Sequence, residues 1–378
     1  YGQMTGGWFS QVGDWREKAD GAFFGGMAAF ADKVRAKGMS FGVWIEPERF
    51  ARGAPAVQAH PDWFCPSAGD GSFLYPDLDN GEAAAHVSGM ISEVIDRYGA
   101  GWVKIDFNQT LGPDPRGRAH IGYTARLRRI ADDLRAKYPD VVFECCAGGG
   151  FRLEAESQRF FDVTFPSDNV NPCDLLRIGE GAALRALSGR ILRWCCLRGA
   201  RLPKYLAEGG AGATLAPRKA LWDQAETVDA EFALKVCLLG QLSFSGDLAS
   251  LDGETKAKIA KAVDFAKKHR RFVQNGVTHP LTPAAPIEDR SGWSAAFVSD
   301  ADATEGILYA FRLDSPEAER AFALPLAEWD GSYELTDYDT GESRRATWRA
   351  LREAGAAVSI PARMRGSVWT VRRAKAQA

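Results

Sequence analysis

The sequence predicts an α/β fold: a TIM-type (β/α)8 barrel followed by a C-terminal antiparallel β-sandwich. Three observations predict it. Segments of helical period alternate with short strand-like runs over the first two thirds of the chain, as parallel strands with crossover helices do. The strand-like runs end in polar or Gly-rich sequence, which is how a barrel gathers its active site at one rim. From about residue 282 the pattern changes to short alternating runs separated by Gly, Asp and Pro. The expected division is therefore a barrel over 1–281 and a sandwich over 282–378, with Pro280 to Pro286 as linker.

The elements follow in order. Met27, Phe30, Ala31 and Val34 mark one helix face ending at Gly38, and Phe41–Ile45 reads as a strand. Val87, Met90, Ile91, Val94, Ile95 and Tyr98 mark a second helix stopped by Gly99, and Trp102–Phe107 a second strand. Leu127, Ile130, Ala131, Leu134 and Tyr138 mark a third helix, before strands at Val141–Cys146 and Phe161–Phe165. Over 174–236, Arg185, Arg190, Arg193, Arg198 and Arg201 surround Trp194 and read as barrel helices with snorkelling Arg stems. A second reading turns one or two of them to the substrate mouth. Lys235–Leu242, turning at Ser243–Asp247, reads as the last barrel strand, and Ile259, Val263 and Ala266 as the helix after it. Runs at 295–298, 306–311, 321–324, 333–335 and 367–371 read as sandwich strands.

Composition narrows the function classes. The 47 Lys+Arg and 49 Asp+Glu of the 378 residues nearly cancel, which gives no reason to expect a nucleic-acid partner. No apolar run approaches the ~20 residues that span a membrane, so no membrane partner is expected. The seven Cys have no framework spacing, which predicts reduced thiols and a cytoplasmic protein. The five scattered His form no metal motif, and no metal or cofactor is expected. Doubly wound nucleotide folds are set aside because Gly148-Gly149-Gly150 matches no phosphate-loop pattern.

The acids at strand ends carry the chemistry. Period-two alternation puts Lys104, Asp106 and Asn108 on one face. A carboxylate between a cation and an amide stays ionised, which suits a nucleophile. Asp168 sits between Ser167 and Asn169 after apolar Phe165, where a partly desolvated acid can hold a proton and act as general acid. Two such carboxylates can flank a glycosidic bond; the alternative is that both are strand-end caps.

Five ordered motifs then resemble a known family. Gly42-Val43-Trp44-Ile45-Glu46-Pro47-Glu48, His60-Pro61-Asp62-Trp63, Trp102–Asn108, Glu144–Gly150 and Pro166-Ser167-Asp168-Asn169 come in the order and spacing of glycoside hydrolase family 36. That is the α-galactosidase family, which also holds α-N-acetylgalactosaminidases and raffinose-type transglycosidases. The resemblance implies a retaining exo-α-glycosidase acting on an oligosaccharide, with Asp106 as nucleophile and Asp168 as acid/base. It implies that Lys104 and Asn108 bond the sugar, that Trp44 walls it, and that Cys146 and Gly148 belong to the segment at its 2-position. Glu46, Glu48 and Glu144 are supports in this reading, and His60 and Trp63 are structural, the alternative being that Trp63 lines an outer subsite.

The sequence departs from the family in three places. Thr5-Gly6 stands where the family has an Asp-Asp pair gripping the 4- and 6-hydroxyls of galactose, just before Gly7-Trp8-Phe9. Gly71-Ser72-Phe73 stands where an Arg is expected before Leu78. Gly7-Trp8-Phe9 matches sequence just after the family's second strand, so the barrel is expected to be incomplete at its N-terminus and the N-terminal sandwich absent. The resemblance further implies a homo-oligomer for the full-length protein. The alternatives are a degenerate carbohydrate-binding protein and a transglycosidase of the same family.

Overall fold

A computed structural model describes residues 12–13, 15–17, 25–69, 71–169, 171–197, 229–246 and 248–374. Thr5 to Phe9, Arg198 and Arg201 lie outside the described residues. The chain divides into two compact units, Tyr1–Thr164 and Phe165–Ala378.

In the first unit, helix α1 (Gly26–Arg35) precedes strand β1 (Gly42–Ile45). β2 (Phe50–Ala51), α2 (Pro55–Ala59), β3 (Phe64–Pro66) and β4 (Phe73–Pro76) come next, then α3 (Gly81–Tyr98) and β5 (Trp102–Ile105). α4 (Arg118–Lys137), β6 (Val142–Cys145), α5 (Ala155–Phe160) and β7 (Val163–Thr164) complete it. The order β1-β5-β6-β7 is a parallel sheet, as the alternation predicts. α3 begins where Asn80 Oδ1 accepts from the Glu82 and Ala83 N–H groups, and it ends at Gly99, whose φ of 57° is left-handed. Its apolar stripe of Val87, Ile91, Val94 and Ile95 packs with Val43, Val103, Ile105 and Phe143 of the sheet. The strands carry apolar residues at alternate positions toward this helix layer. That leaves Trp44, Lys104 and Glu144 paired in register on the opposite face.

β2, β4 and β3 form a small antiparallel sheet after β1. There the His60 and Trp63 rings stack at 3.8 Å, and Trp63 Nε1 donates to Glu82 Oε2 at 3.3 Å. These contacts account for both residues structurally.

In the second unit, α6 (Pro172–Ala183) is capped by Asn171, whose Oδ1 accepts from the Cys173 N–H. β8 (Leu192–Cys196) follows, then α7 (Ala230–Cys237), β9 (Gln241–Ser245) and α8 (Gly253–Asn275). β8 and β9 pair in parallel. Two expectations are corrected here. Lys235 lies in a helix, not a strand, and the strand starts at Gln241 and includes the expected turn residues Ser243–Ser245. Phe232 to Cys237 is buried on all sides, so it shows no amphipathic stripe and reads like a strand. Arg193 and Trp194 lie on β8 rather than on a helix.

The remaining strands are β10 (Val277–Pro280), β11 (Trp293–Ser299), β12 (Glu305–Arg312), β13 (Glu319–Phe322), β14 (Ser332–Asp337), β15 (Ser343–Thr347), β16 (Ala356–Ser359) and β17 (Arg365–Arg373). An antiparallel sheet of order β10-β11-β12-β17-β14-β15 holds six of them, and β13 pairs with β16. Pro280 closes edge strand β10 opposite Ala296, so it is part of this sheet and not of a linker. A Pro is tolerated there because an edge position needs no N–H on its open side. Both faces of β12 are covered. Ile307, Tyr309 and Phe311 pack with α7, while Leu308 and Ala310 pack with Phe322, Ala356 and Val358 of the β13–β16 pair. The chain is thus α/β with a β-rich C-terminal region.

Candidate active site

The site is built in the first unit, just past the C-terminal ends of β1, β5 and β6. Ile45, Ile105 and Cys145 are the last residues in register. The ladder runs one step further, through Asp106 N–H to Ile45 O and Cys146 N–H to Ile105 O, both 2.9 Å. Glu46, Asp106 and Cys146 therefore leave the sheet side by side.

Asp106 is buried, and donors converge on it. Trp44 Nε1 donates to Oδ2 at 3.0 Å, and the Phe107 N–H donates to Oδ1 at 2.8 Å. The Cys146 thiol lies beside the same carboxylate, which adds to burial in pushing that thiol up. The N–H donors fix the carboxylate's direction, which a nucleophile needs. Lys104 Nζ lies 3.3 Å from Glu144 Oε1, and Trp102 Nε1 donates to Glu144 Oε2 at 2.7 Å. Glu144 thus steadies the lysine. Gly148 has φ +50°, and a Cβ built on it would lie 3.9 Å from Asn108 Oδ1, so the Gly-rich loop and Asn108 are neighbours. The structure brings together Trp44, Lys104, Asp106, Asn108, Cys146 and Gly148.

Glu46 supports this group from below. Its Oε1 accepts from the Asn108 N–H, its Oε2 lies 3.7 Å from Arg49 Nη1, and its carbonyl accepts from Trp15 Nε1 at 3.0 Å. Burial pushes its carboxyl up to about 7, against the Asn108 N–H and Arg49. Burial likewise pushes the Cys145 and Cys146 thiols up, which keeps both protonated and unlike a thiolate nucleophile.

Asp168 belongs to the second unit, on the segment between β7 and α6, and is half-buried. Its neighbours are pinned. The Asn169 N–H donates to Ser167 Oγ at 3.0 Å, Asn169 Nδ2 to Asp174 Oδ2 at 2.8 Å, and the Asn171 N–H to Asn169 Oδ1 at 2.9 Å.

Sequence reasoning missed an ion pair beside the site. Glu48 is fully buried and takes both Arg152 nitrogens, Nη1 on Oε1 at 2.6 Å and Nη2 on Oε2 at 2.8 Å. Tyr123 Oη donates to the same Oε2 at 2.8 Å, and the Arg152 guanidinium covers the Phe107 ring at 4.8 Å. Burial works against the Arg152 charge, but Glu48 outweighs it and holds the guanidinium above its ordinary range. The pair ties the end of the Gly-rich loop to the end of β1. A cavity of about 200 Å3 borders it among Ile105, Leu127 and Phe160, and none of the sugar-site candidates lines that cavity.

Where the family's Arg is absent, Phe73 packs under the Arg49 guanidinium at 3.9 Å. The cation in this loop thus comes from the β1 side.

An oriented carboxylate thus lies with an indole, a lysine and a glycine loop around it, at the C-terminal edge of a parallel sheet. Residues 5–188 match the Melibiase family model, a span that includes Asp106, Asp168 and the five binding candidates. α-Galactosidase AgaA of Geobacillus stearothermophilus is 25% identical over 81% of this chain and 41% of its own length. α-Galactosidase C of Emericella nidulans is 24% identical over 84% of this chain and 42% of its own. The chain spans about two fifths of the length of these curated relatives. Among solved structures, that of the G. stearothermophilus GH36 α-galactosidase AgaA superposes with a TM-score of 0.77 at 21% identity, over 97% of this chain and 49% of that one. The galactosidase domain of the α-galactosidase–sucrose kinase AgaSK gives 0.77 at 20% identity, over 97% and 48%. The family resemblance of the motifs is met, and the fold likeness extends over nearly the whole chain.

Proposed function

We propose that this chain is the catalytic part of a retaining exo-α-glycosidase that removes terminal α-linked galactose from oligosaccharides. The single observation that carries the reading is the Asp106 carboxylate, held by Trp44 Nε1 and the Phe107 N–H beside Lys104 and Cys146. Asp106 attacks the anomeric carbon while Asp168 protonates the leaving oxygen. Asp168 then takes a proton from water as the water displaces Asp106, with net retention. Trp44 walls the sugar, Lys104 and Asn108 bond its hydroxyls, and the backbone at Cys146 and Gly148 approaches the 2-position.

Several finer points belong to the same proposal. Parallel strands β1, β5, β6, β7, β8 and β9 are assigned to one TIM-type barrel over residues 1–281, with 282–378 as the C-terminal domain and β10 counted with its sheet. The full-length protein is a homo-oligomer in the cytoplasm, a placement that the seven free cysteines support. Among the described residues no helix is long and apolar enough to cross a membrane. A variant of the related G. stearothermophilus enzyme has been solved in complex with raffinose, which makes raffinose-type sugars the first substrates to test.

The test is Asp106→Ala assayed on an aryl α-galactoside, with the product anomer followed by NMR. Loss of turnover in the variant, and an α-anomer from the parent, are expected. A parent that cleaves the substrate while Asp106→Ala retains that activity overturns the nucleophile assignment. A β-anomer as first product overturns retention.

A further inference from the structure

Arg193 has no role in the proposed chemistry, yet the second unit is shaped around it. It lies on β8 and is only 4% exposed. A Cβ at Gly179 would sit 1.6 Å from its Nη1, and one at Gly240 would sit 2.7 Å from its Cγ. Both glycines leave space that the arginine fills. A guanidinium carries five N–H donors and keeps its charge at any ordinary pH. Among the described residues it has one hydrogen-bond acceptor, Leu175 O, 3.0 Å from Nη1, and its buried Nε has none.

The nearby carboxylate is already committed. The oxygens of Glu180 accept from Arg177 Nη1 at 2.9 and 3.2 Å, and Oε2 also accepts from the Ala285 N–H at 3.2 Å. Arg177, Glu180 and Arg193 together leave one buried positive charge over. A buried charge is costly unless something pairs with it.

Arg193 also lines a cavity of about 40 Å3, shared with Ser188, Thr278, Thr282, Ser294 and Glu180, whose carboxylate is held by Arg177 and the Ala285 N–H. Roughly 10–15 Å3 holds one water-sized guest, so the space is large enough for one small ion with a water or two beside it. The Thr282 oxygen accepts from the Ala295 N–H at 3.0 Å, which leaves its O–H to donate into the cavity. We infer that Arg193 anchors a small-anion site within the second unit, which takes one monovalent anion of chloride or formate size. Burial disfavours the guanidinium's charge, and that is the penalty such an anion offsets.

The inference does not depend on the glycosidase reading. It is tested by melting the whole chain in potassium gluconate, replacing gluconate stepwise by bromide or formate at constant ionic strength. Gluconate is too large to enter. A saturable rise in Tm is expected, about 2 °C at tenfold excess over the dissociation constant. Arg193→Met should abolish it. A rise with bromide alone marks a halide site, and a rise with formate as well marks a small-carboxylate site; either supports the inference. A flat Tm with both anions, or a Met variant that keeps the response, overturns it. Should the variant not fold, anomalous diffraction from bromide-soaked crystals decides. A peak at the Arg193 guanidinium supports the site, and no peak there overturns it.

Discussion

Trp44 on β1 donates its indole N–H to Asp106 beyond the end of β5, at 3.0 Å, although 62 residues separate the two. One side chain thus both orients the proposed nucleophile and presents a flat ring beside it. A hydrogen bond to a charged group contributes about 1.5–3 kcal/mol. Trp44→Phe keeps a ring and deletes the donor, so kcat/KM on an aryl α-galactoside should fall about 10- to 100-fold. Circular dichroism should be unchanged. An unaltered kcat/KM in a folded variant would show that the indole N–H does not serve Asp106.

Glu46 makes stability depend on pH with a definite sign. Its folded carboxyl titrates near 7, above an unfolded value near 4.5. Between those values the native state holds more protons than the unfolded chain. The contribution of Glu46 to stability is therefore fully present below about 4.5 and is lost as pH rises through about 7. The contribution lost is on the order of 3 kcal/mol. Glu46→Gln keeps an acceptor for the Asn108 N–H and cannot ionise. Urea unfolding at pH 5 to 8 should show a shallower decline for the variant than for the parent. Parallel curves would count against Glu46 as the source of the slope.

The Glu48–Arg152 pair predicts a non-additive pair of mutations. Glu48 is fully buried, so Arg152→Met strands a carboxylate that, among the described residues, keeps only Tyr123 Oη as donor. Breaking a buried pair from one side costs about 3–5 kcal/mol. Adding Glu48→Gln removes the stranded charge, so the double variant should be more stable than Arg152→Met alone. Chemical denaturation of the four proteins closes the cycle. Additive losses would mean that the two side chains are not coupled.

The residues just discussed were unequally legible in the sequence. Lys104, Asp106 and Asn108 were legible because period-two alternation and strand-end polarity are local signals, whereas Trp44 was legible only through the resemblance of its motif to a family. Their gathering in one place follows from a parallel sheet. Arg152 was not legible as the partner of Glu48, because 104 residues separate them and nothing local signals the contact. Helix α7 read as a strand because burial on every side erases its periodicity. β15 escaped for the opposite reason: Ser343, Arg344 and Arg345 are exposed, as suits a polar edge strand, and carry no apolar alternation. The Arg193 pocket depends on the absence of side chains at Gly179 and Gly240, which local sequence does not distinguish from other glycines.

Gly148 separates a role in binding from a role in folding. Its φ of +50° is left-handed, and an L residue there is strained by about 1–2 kcal/mol. The nearest obstacle to a new Cβ is the Phe151 ring, 3.2 Å away. That ring is 87% exposed, so it can turn aside without disturbing the core. Gly148→Ala should therefore fold with a modest loss of stability. The added methyl would also face Asn108 Oδ1, on the side where the proposed sugar 2-position approaches. KM for an aryl α-galactoside should rise more than Tm falls would explain, and the 2-deoxy analogue should be affected least. A variant that loses stability but binds both sugars as the parent does would remove Gly148 from the subsite.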